Sequence, residues 1–439
     1  MNDIETQEAL FNLSQKATPI DAINFYKDNY EILKYWRYIY ASDNNEGTFK
    51  LKNTIIDETV GIQSIYKGKS LFIIDSNMIG HNNTVPYLCG LGTYFDSNTA
   101  SYIYSLAYKN HHTEQLKKRL KQIQALNIDY SNVNPYFYLY EAQRHYQSNP
   151  ETIECSKKTF AAINALKKID CPLDEKWSRI YQANFREQSE HEIEPIFNSF
   201  LDNLNNGLSE AINFRCLLIE LLLTQSKILE ISSCKSPENK LEQLFHFMDK
   251  DLEILMIREL ACCADILFHD NFSSLTQKLN GLHQKQDPIK FIQNCAWDLF
   301  IFRLMDDLSN TYTEPKKPDF YISHLVACDR DIWGIAKLSS LKGIALHTKS
   351  SLVIPFMEHD PQQWLEQKIG SQKLANLCHC FDPESRERRL GWMHSNNRDS
   401  EFQHKMKKIF DLADEKRKEL LLHLSKQECK YPIVSTKQT

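Results

Sequence analysis

Two short apolar runs, each ending in aspartate, constrain the fold of this chain most. LFIID ends at Asp75, and FYISHLVACD ends at Asp329, with Asp331 two positions further on. Runs of this length that are rich in β-branched and aromatic residues are typical of buried strands. Ligands of open α/β sheets bind outside the carboxyl ends of the strands, so we expect these aspartates at such an edge. If the two strands are neighbours, their carboxylates can hold a divalent cation.

Most of the remaining chain is predicted to be helical. Its 439 residues include only 12 Gly and 14 Pro, and long stretches carry apolar residues at i, i+3 and i+4. We predict an α/β fold in which a Rossmann-like parallel sheet carries a large all-helical insertion and a helical C-terminal region. The predicted parts are an N-terminal helical segment (1–45), an α/β core (46–112 and 290–357), a helical insertion (113–289) and a charged helical C-terminal region (358–439).

The segment 320–357 is predicted to form a β–α–β unit. FYISHLVACDR is the first strand, DIWGIAKLSSLKG is a helix that ends at Gly343, and SSLVIPFM is the second strand. A helical crossover of this kind favours parallel pairing of its two strands. The prolines and charges of TEPKKPDF (313–320) predict a linker before the unit. At the other end of the chain, apolar spacing over 20–40 predicts a helix.

Composition and charge exclude some classes of protein. The net charge of −5 argues against a protein that coats nucleic acid, although a local basic groove stays compatible with it. No apolar run approaches the ~20 residues that a membrane-spanning helix needs, so no membrane partner is expected. The polar, acidic residues 1–20 do not resemble a signal peptide, and none of the 12 Cys forms a C-x-x-C pair. These features predict reduced thiols and a cytoplasmic protein.

One cysteine–histidine cluster is a candidate zinc site. Cys378, His379 and Cys380 are consecutive, and their distant partners would be His394 or His404. Adjacent ligands lack the usual gap of two to four residues. The spacing therefore favours ordinary residues over a zinc site.

Acidic residues are the stronger candidates for a catalytic site. Phosphodiester cleavage with metal ions needs several carboxylates that converge on one or two Mg²⁺ or Mn²⁺ ions. The candidate catalytic residues are Asp75, Asp298, Asp329, Asp331 and the helical Glu259. The alternative is that the strand-end aspartates only cap turns, as Asp does routinely.

The order of these acids resembles that in the PIN-domain nucleases. IIDSN matches the family's first strand, which ends in Asp followed by Ser/Thr-Asn. WDLFIF matches its later helical Asp, and VACDRDI its next strand-end motif. The resemblance covers 71–110 and 290–357. It implies a Rossmann-like α/β sandwich, Mg²⁺ or Mn²⁺ held by Asp75, Asp298 and Asp329, and cleavage of RNA.

The chain departs from the family pattern in three ways. Family domains are compact, whereas residues 113–290 would form a large insertion. Cys328 stands where the family has a small hydroxyl residue before the Asp. The family's second acid has three candidates, Glu259, Glu253 and Glu220.

The first hypothesis is a metal-dependent endoribonuclease that acts as a toxin or defence effector. Two further hypotheses stay open beside it. The first is a non-catalytic helical interaction scaffold with a vestigial α/β core, whose protein partner binds the helical insertion. The second is a nucleic-acid-binding module without catalysis. RNA is the expected substrate ahead of DNA.

Asp96 in FDSN is predicted to cap a helix, because Asp, Ser and Asn are preferred capping residues.

Overall fold

The structure is a computed structural model in which the chain forms two compact units. The first unit comprises residues 1–209 and 301–358, and the second comprises 210–300 and 359–439. The structure describes residues 4–45, 47, 49–80, 87–309, 320–338, 340–350, 353–358, 360–382, 384–385, 388–389 and 400–430. The predicted linker 313–320, apart from Phe320, and the candidate zinc ligand His394 lie outside these residues.

The first unit contains two five-stranded sheets. The strands are β1 Trp36–Ser42, β2 Phe49–Lys50, β3 Thr54–Ile56, β4 Val60–Ser64, β5 Ser70–Ile74, β6 Cys89–Phe95, β7 Val133–Asn134, β8 Phe320–Ala327, β9 Leu341–His347 and β10 Val353–Met357. One sheet has the order β10-β9-β1-β5-β2 and is antiparallel throughout. The other has the order β3-β4-β8-β6-β7, in which β6 runs parallel to both β8 and β7. The predicted α/β class is confirmed. The predicted Rossmann-like parallel sheet is not confirmed, because parallel pairing among these ten strands is limited to β6 with β7 and β8.

Helices surround the sheets and form nearly all of the second unit. They are α1 Ile4–Ser14, α2 Pro19–Asp28, α3 Tyr30–Leu33, α4 Ser76–Gly80, α5 Ser97–Tyr108, α6 Glu114–Ala125, α7 Tyr136–Ala142, α8 Glu151–Ala165, α9 Glu175–Ile180, α10 Arg186–Asn203, α11 Ser209–Ser232, α12 Pro237–Phe247, α13 Ile257–Phe268, α14 Ser274–Asn280, α15 Pro288–Ser309, α16 Arg330–Leu338, α17 Pro361–Ile369, α18 Ser371–Asn376 and α19 Ser400–Lys430. Residues 113–209 of the predicted insertion thus belong to the first compact unit, together with both sheets.

The N-terminal helices cover the antiparallel sheet. Leu10, Leu13 and Tyr26 pack against Trp36 and Tyr38 in one buried cluster. The Tyr26 hydroxyl lies 2.7 Å from the carbonyl oxygens of both Leu33 and Trp36, and so ties α2 to the start of β1. A buried tyrosine needs such partners for its hydroxyl.

Residues 36–42 correct the predicted N-terminal helix. The apolar residues up to Trp36 have helical spacing, but Trp36–Ser42 is strand β1, which pairs with β5 on one side and β9 on the other. Six of its seven residues are buried. A strand buried on both faces shows no polar alternation, so its sequence cannot be distinguished from that of a buried helix by periodicity alone.

The predicted β–α–β unit at 320–357 is right in its two strands, β8 and β10, and in the start of its helix. It is wrong in the end of the helix and in the pairing of the strands, which lie in different sheets. Helix α16 ends at Leu338, and residues 341–347 form strand β9, which pairs antiparallel with β10. Gly343 does not end a helix. A Cβ at this position would lie 2.6 Å from the carbonyl oxygen of Ile39, so glycine permits the close pairing of β9 with β1.

The second sheet packs against helices α5, α6 and α8. Ile62, Phe95 and Val326 from the strands join Ile103 and Leu120 from the helices in a buried cluster. In the second unit the fully buried residues include Leu222, Leu244, Leu260 and Phe245. The predicted helical character of 358–439 agrees with α17, α18 and α19 among the described residues.

Candidate functional site

Asp75 follows strand β5, as predicted, and is 2% exposed. Its Oδ2 accepts a hydrogen bond of 3.1 Å from Nε of Arg37 on the neighbouring strand β1. Its Oδ1 accepts the main-chain N–H groups of Asn77 and Met78, at 2.9 and 3.1 Å. The guanidinium of Arg37 in turn lies over the ring of Tyr87. These contacts are those of a carboxylate that caps a turn and pairs with a half-buried arginine.

Asp329 lies in the other sheet, because it follows strand β8. The condition for a shared site, that the strands of Asp75 and Asp329 are neighbours, is therefore not met. Oδ1 of Asp329 accepts the N–H of Asp331 at 2.8 Å, and its Oδ2 lies 3.4 Å from the side-chain amide of Asn98. Asp331 is buried in the first turn of α16.

The other two predicted acids belong to the second unit. Asp298 lies half-buried on α15, and Glu259 lies fully buried on α13. Of the predicted set, Asp329 and Asp331 are brought together, and Asp75 lies in a separate sheet of the same unit. The assignment of Asp75, Asp298 and Asp329 as metal ligands stays a prediction.

Asp96 is the acid that the topology brings next to Asp329. Strands β6 and β8 are parallel neighbours, and Asp96 follows β6 as Cys328 and Asp329 follow β8. Asp96 caps α5, as predicted: its Oδ1 accepts the N–H of Thr99 at 2.7 Å. Its Oδ2 accepts the N–H of Cys328 at 3.2 Å, which joins the two strand ends.

This sheet edge places a buried carboxyl group, that of Asp96, close to a second acid, Glu141. Asp96 is 3% exposed, and its pKa is raised to about 7, chiefly by burial. The hydrogen bonds from Thr99 and Cys328 lower this pKa, and the nearby Glu141 on α7 raises it. Glu141 also accepts a hydrogen bond from the hydroxyl of Ser97. A buried carboxylate with a perturbed pKa at the carboxyl end of a parallel strand is a candidate functional group.

Donor chemistry at the edge favours a hard cation. Asp96, Asp329 and Asn98 offer oxygen atoms, the ligands that Mg²⁺ and Mn²⁺ prefer. The one sulfur beside them is that of Cys328, 3.4 Å from the Thr99 hydroxyl. Burial and the charge of Asp96 raise the pKa of this thiol to about 12. Oxygen atoms therefore dominate the donors at this edge, as Mg²⁺ and Mn²⁺ require.

Helix α7 also borders an aromatic cavity of about 560 Å³. The rings of Tyr136 and Tyr140 stack at 5.9 Å with an interplanar angle of 17°, and Phe200 lies 6.0 Å from each. Glu141, the next residue of α7, faces the hydroxyl of Ser97. One helix thus carries both a wall of stacked rings and a carboxylate of the acidic edge.

A different group of ligand-type side chains lies in the second unit. Among the described residues, His246, His379 and Cys380 are the one set of three or more His, Cys, Asp or Glu whose ligand atoms all lie within 4.8 Å of one another. The sequence drew attention to His379 and Cys380, but with His394 or His404 as partners. It gave no sign of His246, because nothing in the chain near residue 246 indicates which distant turn packs on it.

Comparison with known proteins gives no family for the chain. No family model, no curated protein and no solved structure matches it. Within the described part of the chain, every helix is too short or too polar to cross a bilayer.

Proposed function

We propose that the protein is a metal-dependent phosphodiesterase, most specifically an endoribonuclease of the cytoplasm, whose site is the acidic edge formed by Asp96 and Asp329. The observation that carries this proposal is that these two aspartates end adjacent parallel strands and are joined through Asn98 and Cys328. Mg²⁺ is commonly held by only one or two carboxylates together with substrate phosphates. The PIN-like core of the proposal is limited to strands β6, β7 and β8, which are parallel.

In this proposal Asp96 and Asp329 hold the cation, which supplies activation of water and neutralisation of phosphate charge. Helices α5 and α16 start directly after these residues, so the dipoles of both helices favour a phosphate at the same edge. The stacked rings of Tyr136 and Tyr140 offer a platform for an unpaired base. Single-stranded RNA is therefore the first substrate to test, and a role as toxin or defence effector remains part of the proposal.

Cleavage of labelled single-stranded RNA and DNA by the full chain with Mn²⁺ or Mg²⁺ tests the proposal. We expect Asp329→Asn to lower the cleavage rate by about 10²–10³-fold, the scale for loss of one contact to charge that develops in a transition state. Asp75→Asn should leave the rate within a few-fold, because that carboxylate is bound to Arg37. Asp174→Asn is the matched control, since Asp174 is an exposed helix cap of the same unit.

Other outcomes point to other hypotheses. If Asp75→Asn abolishes cleavage while the protein stays folded, the trio predicted from the sequence regains support. Cleavage that persists in Asp329→Asn would contradict the proposed site. Binding of RNA that weakens with salt, without cleavage, favours a nucleic-acid-binding module.

The second candidate function is a helical interaction scaffold. The observation in its favour is that Asp75 accepts three main-chain or guanidinium N–H groups and Asp96 accepts two, so both already serve the fold. Absence of cleavage, together with absence of Mn²⁺ binding to the first unit's acids, favours this candidate over the nuclease.

A further inference from the structure

A turn rich in cysteine and histidine packs against the end of helix α12 in the second unit. The turn is the 3₁₀ segment Cys378–Phe381, and it follows α18 directly. His246 is the penultimate residue of α12. The rings of Phe245 and Phe381 pack at 5.8 Å, and Lys373 of α18 contacts Asn239 of α12. The turn is thus held on the helix by contacts that do not involve His246, His379 or Cys380.

The three side chains lie close enough together to converge on one metal ion. Sγ of Cys380 lies 3.5 Å from Nε2 of His379, and the ligand atoms of all three residues lie within 4.8 Å of one another. Zn–S and Zn–N bonds of about 2.3 and 2.05 Å at the tetrahedral angle separate sulfur from nitrogen by roughly 3.6 Å. The same bond lengths bring two imidazole centroids to roughly 5 Å, and the rings of His246 and His379 are 5.5 Å apart.

The imidazole of His379 has the orientation of a metal ligand. Its Nδ1 lies 2.7 Å from the main-chain oxygen of Asn376. A carbonyl oxygen only accepts, so Nδ1 carries the proton and Nε2, the atom beside Cys380, is left as the lone-pair donor. Metal-binding histidines are held in this way, with the second ring nitrogen donating to a carbonyl or carboxylate.

His246 supplies an independent observation. Its Nδ1 is buried and has no hydrogen-bond partner among the described residues. A buried polar atom of this kind costs free energy unless it finds a partner. A bound ion gives the His246 ring an interaction that its described protein neighbours do not provide.

A buried charge network holds the turn from the other side. Asp249, 2% exposed, pairs with Arg388 and Arg389. Arg389 also donates to the main-chain oxygen of Cys380. Cys380 itself is fully buried. A thiol that solvent does not reach is not placed as a nucleophile, because reactive thiols are exposed.

We propose that His246, His379 and Cys380 bind one Zn²⁺ ion, with water or a further ligand in the fourth position. Imidazole and thiolate are the donors that Zn²⁺ selects, and three protein ligands with an open position are typical of non-structural zinc sites. Mg²⁺ and Mn²⁺ prefer oxygen donors, so this site and the acidic edge of the first unit select different metals. The proposal does not depend on the nuclease activity.

Metal binding to the full chain tests the proposal. The protein is stripped with a chelator, and titrated with Zn²⁺ against a chromophoric competitor and with Co²⁺ in an absorbance measurement. We expect one equivalent of each metal to bind, and Co²⁺ to give a sulfur-to-metal charge-transfer band with the visible bands of a tetrahedral ion. Cys380→Ser should remove that charge-transfer band, and His246→Ala should weaken Zn²⁺ binding beyond the ~10–100-fold that an outer-sphere change costs.

Two matched controls separate the site from general thiol and histidine chemistry. Cys378→Ser removes the exposed cysteine two positions away, and His423→Ala removes a histidine of α19. Both variants should bind Zn²⁺ and Co²⁺ as the wild type does. Circular dichroism before and after stripping reports whether each variant is folded. The proposal would be overturned if the folded wild type does not bind one equivalent of Zn²⁺ tightly, or if the Co²⁺ charge-transfer band survives Cys380→Ser.

Discussion

The free energy of unfolding of the first unit is expected to fall by about 4 kcal/mol as the pH rises from about 4 to about 7, because of the titration of Asp96 alone. Burial raises the pKa of this carboxyl from 3.8 to about 7 in the folded protein. Between these values the folded protein keeps a proton that the unfolded chain has lost, so stability falls as the pH rises. A difference of about three pKa units, at 1.36 kcal/mol each, gives the expected size. The contribution is complete below about pH 4, and is lost by about pH 7.

Urea unfolding of the wild type and of Asp96→Asn, at steps from pH 4 to pH 8 with a chelator present, measures this effect. The amide keeps one oxygen for Thr99 but offers no second oxygen to Cys328, which adds a penalty that does not vary with pH. Other titrating groups cancel in the difference between the two proteins. Curves of unfolding free energy against pH that run parallel for the two proteins would contradict this expectation. They would mean that the hydrogen bonds from Thr99 and Cys328 lower the pKa of Asp96 at least as much as burial raises it, and that Asp96 is ionised throughout this pH range.

The ionisation of Asp96 should also govern binding of the proposed divalent cation. A divalent ion held by Asp96 binds its ionised form, so Mg²⁺ should stabilise the wild type more at pH 8 than at pH 6. In Asp96→Asn that difference should disappear. Equal stabilisation of both proteins by Mg²⁺ at both pH values would remove Asp96 from the proposed site, while leaving Asp329 as a candidate ligand.

Local sequence signals predicted the two strands that end in aspartate, but not which strands lie beside them. LFIID and FYISHLVA are buried strands. Their neighbours β1, β2, β4 and β6 are set by pairings between separate segments, such as Gly61 with Ala327 and Tyr38 with Ile74. The sequence of an apolar strand does not specify which other strand pairs with it. The placement of Asp75 and Asp329 in different sheets could therefore not be predicted from these two runs. FDSN, in contrast, indicated a cap, because capping depends on residues within one turn.

The candidate zinc ligands illustrate the same limit. The consecutive Cys378, His379 and Cys380 were visible as a cluster, and the spacing rule counted against them because adjacent residues seldom bind one ion. A 3₁₀ turn brings His379 and Cys380 together, and His246 completes the group only through the packing of α18 on α12. Distant ligands of this kind become visible only when the tertiary contacts are known.

The charged C-terminal helix α19 is more than a solvated face, and Arg417 accounts for the difference. Its Nε and Nη2 atoms lie 2.6 and 2.9 Å from the two carboxylate oxygens of Glu220 on α11. The side chain of Glu220 is 8% exposed, and that of Arg417 is 27% exposed. Bidentate geometry and burial make this pair stronger than the exposed pairs of the same helix.

Arg417→Met is expected to lower the free energy of unfolding of the second unit by about 3 kcal/mol, the lower end of the range for a broken buried pair. The loss arises because Glu220 stays buried without its cation. Lys416→Met, one position earlier on α19, removes an i,i+3 pair with Glu419 and should cost less than about 1 kcal/mol. Urea unfolding followed by circular dichroism measures both variants.

The double variant Glu220→Leu/Arg417→Met identifies the cause of the loss. If the penalty comes from an uncompensated buried carboxylate, removal of both partners should restore most of the stability, because apolar replacements of a buried pair are often neutral. If the double variant is as unstable as Arg417→Met, the loss would come mainly from the missing attraction between Glu220 and Arg417 and from their hydrogen bonds with Gln293 and Asp414, and not from an uncompensated charge.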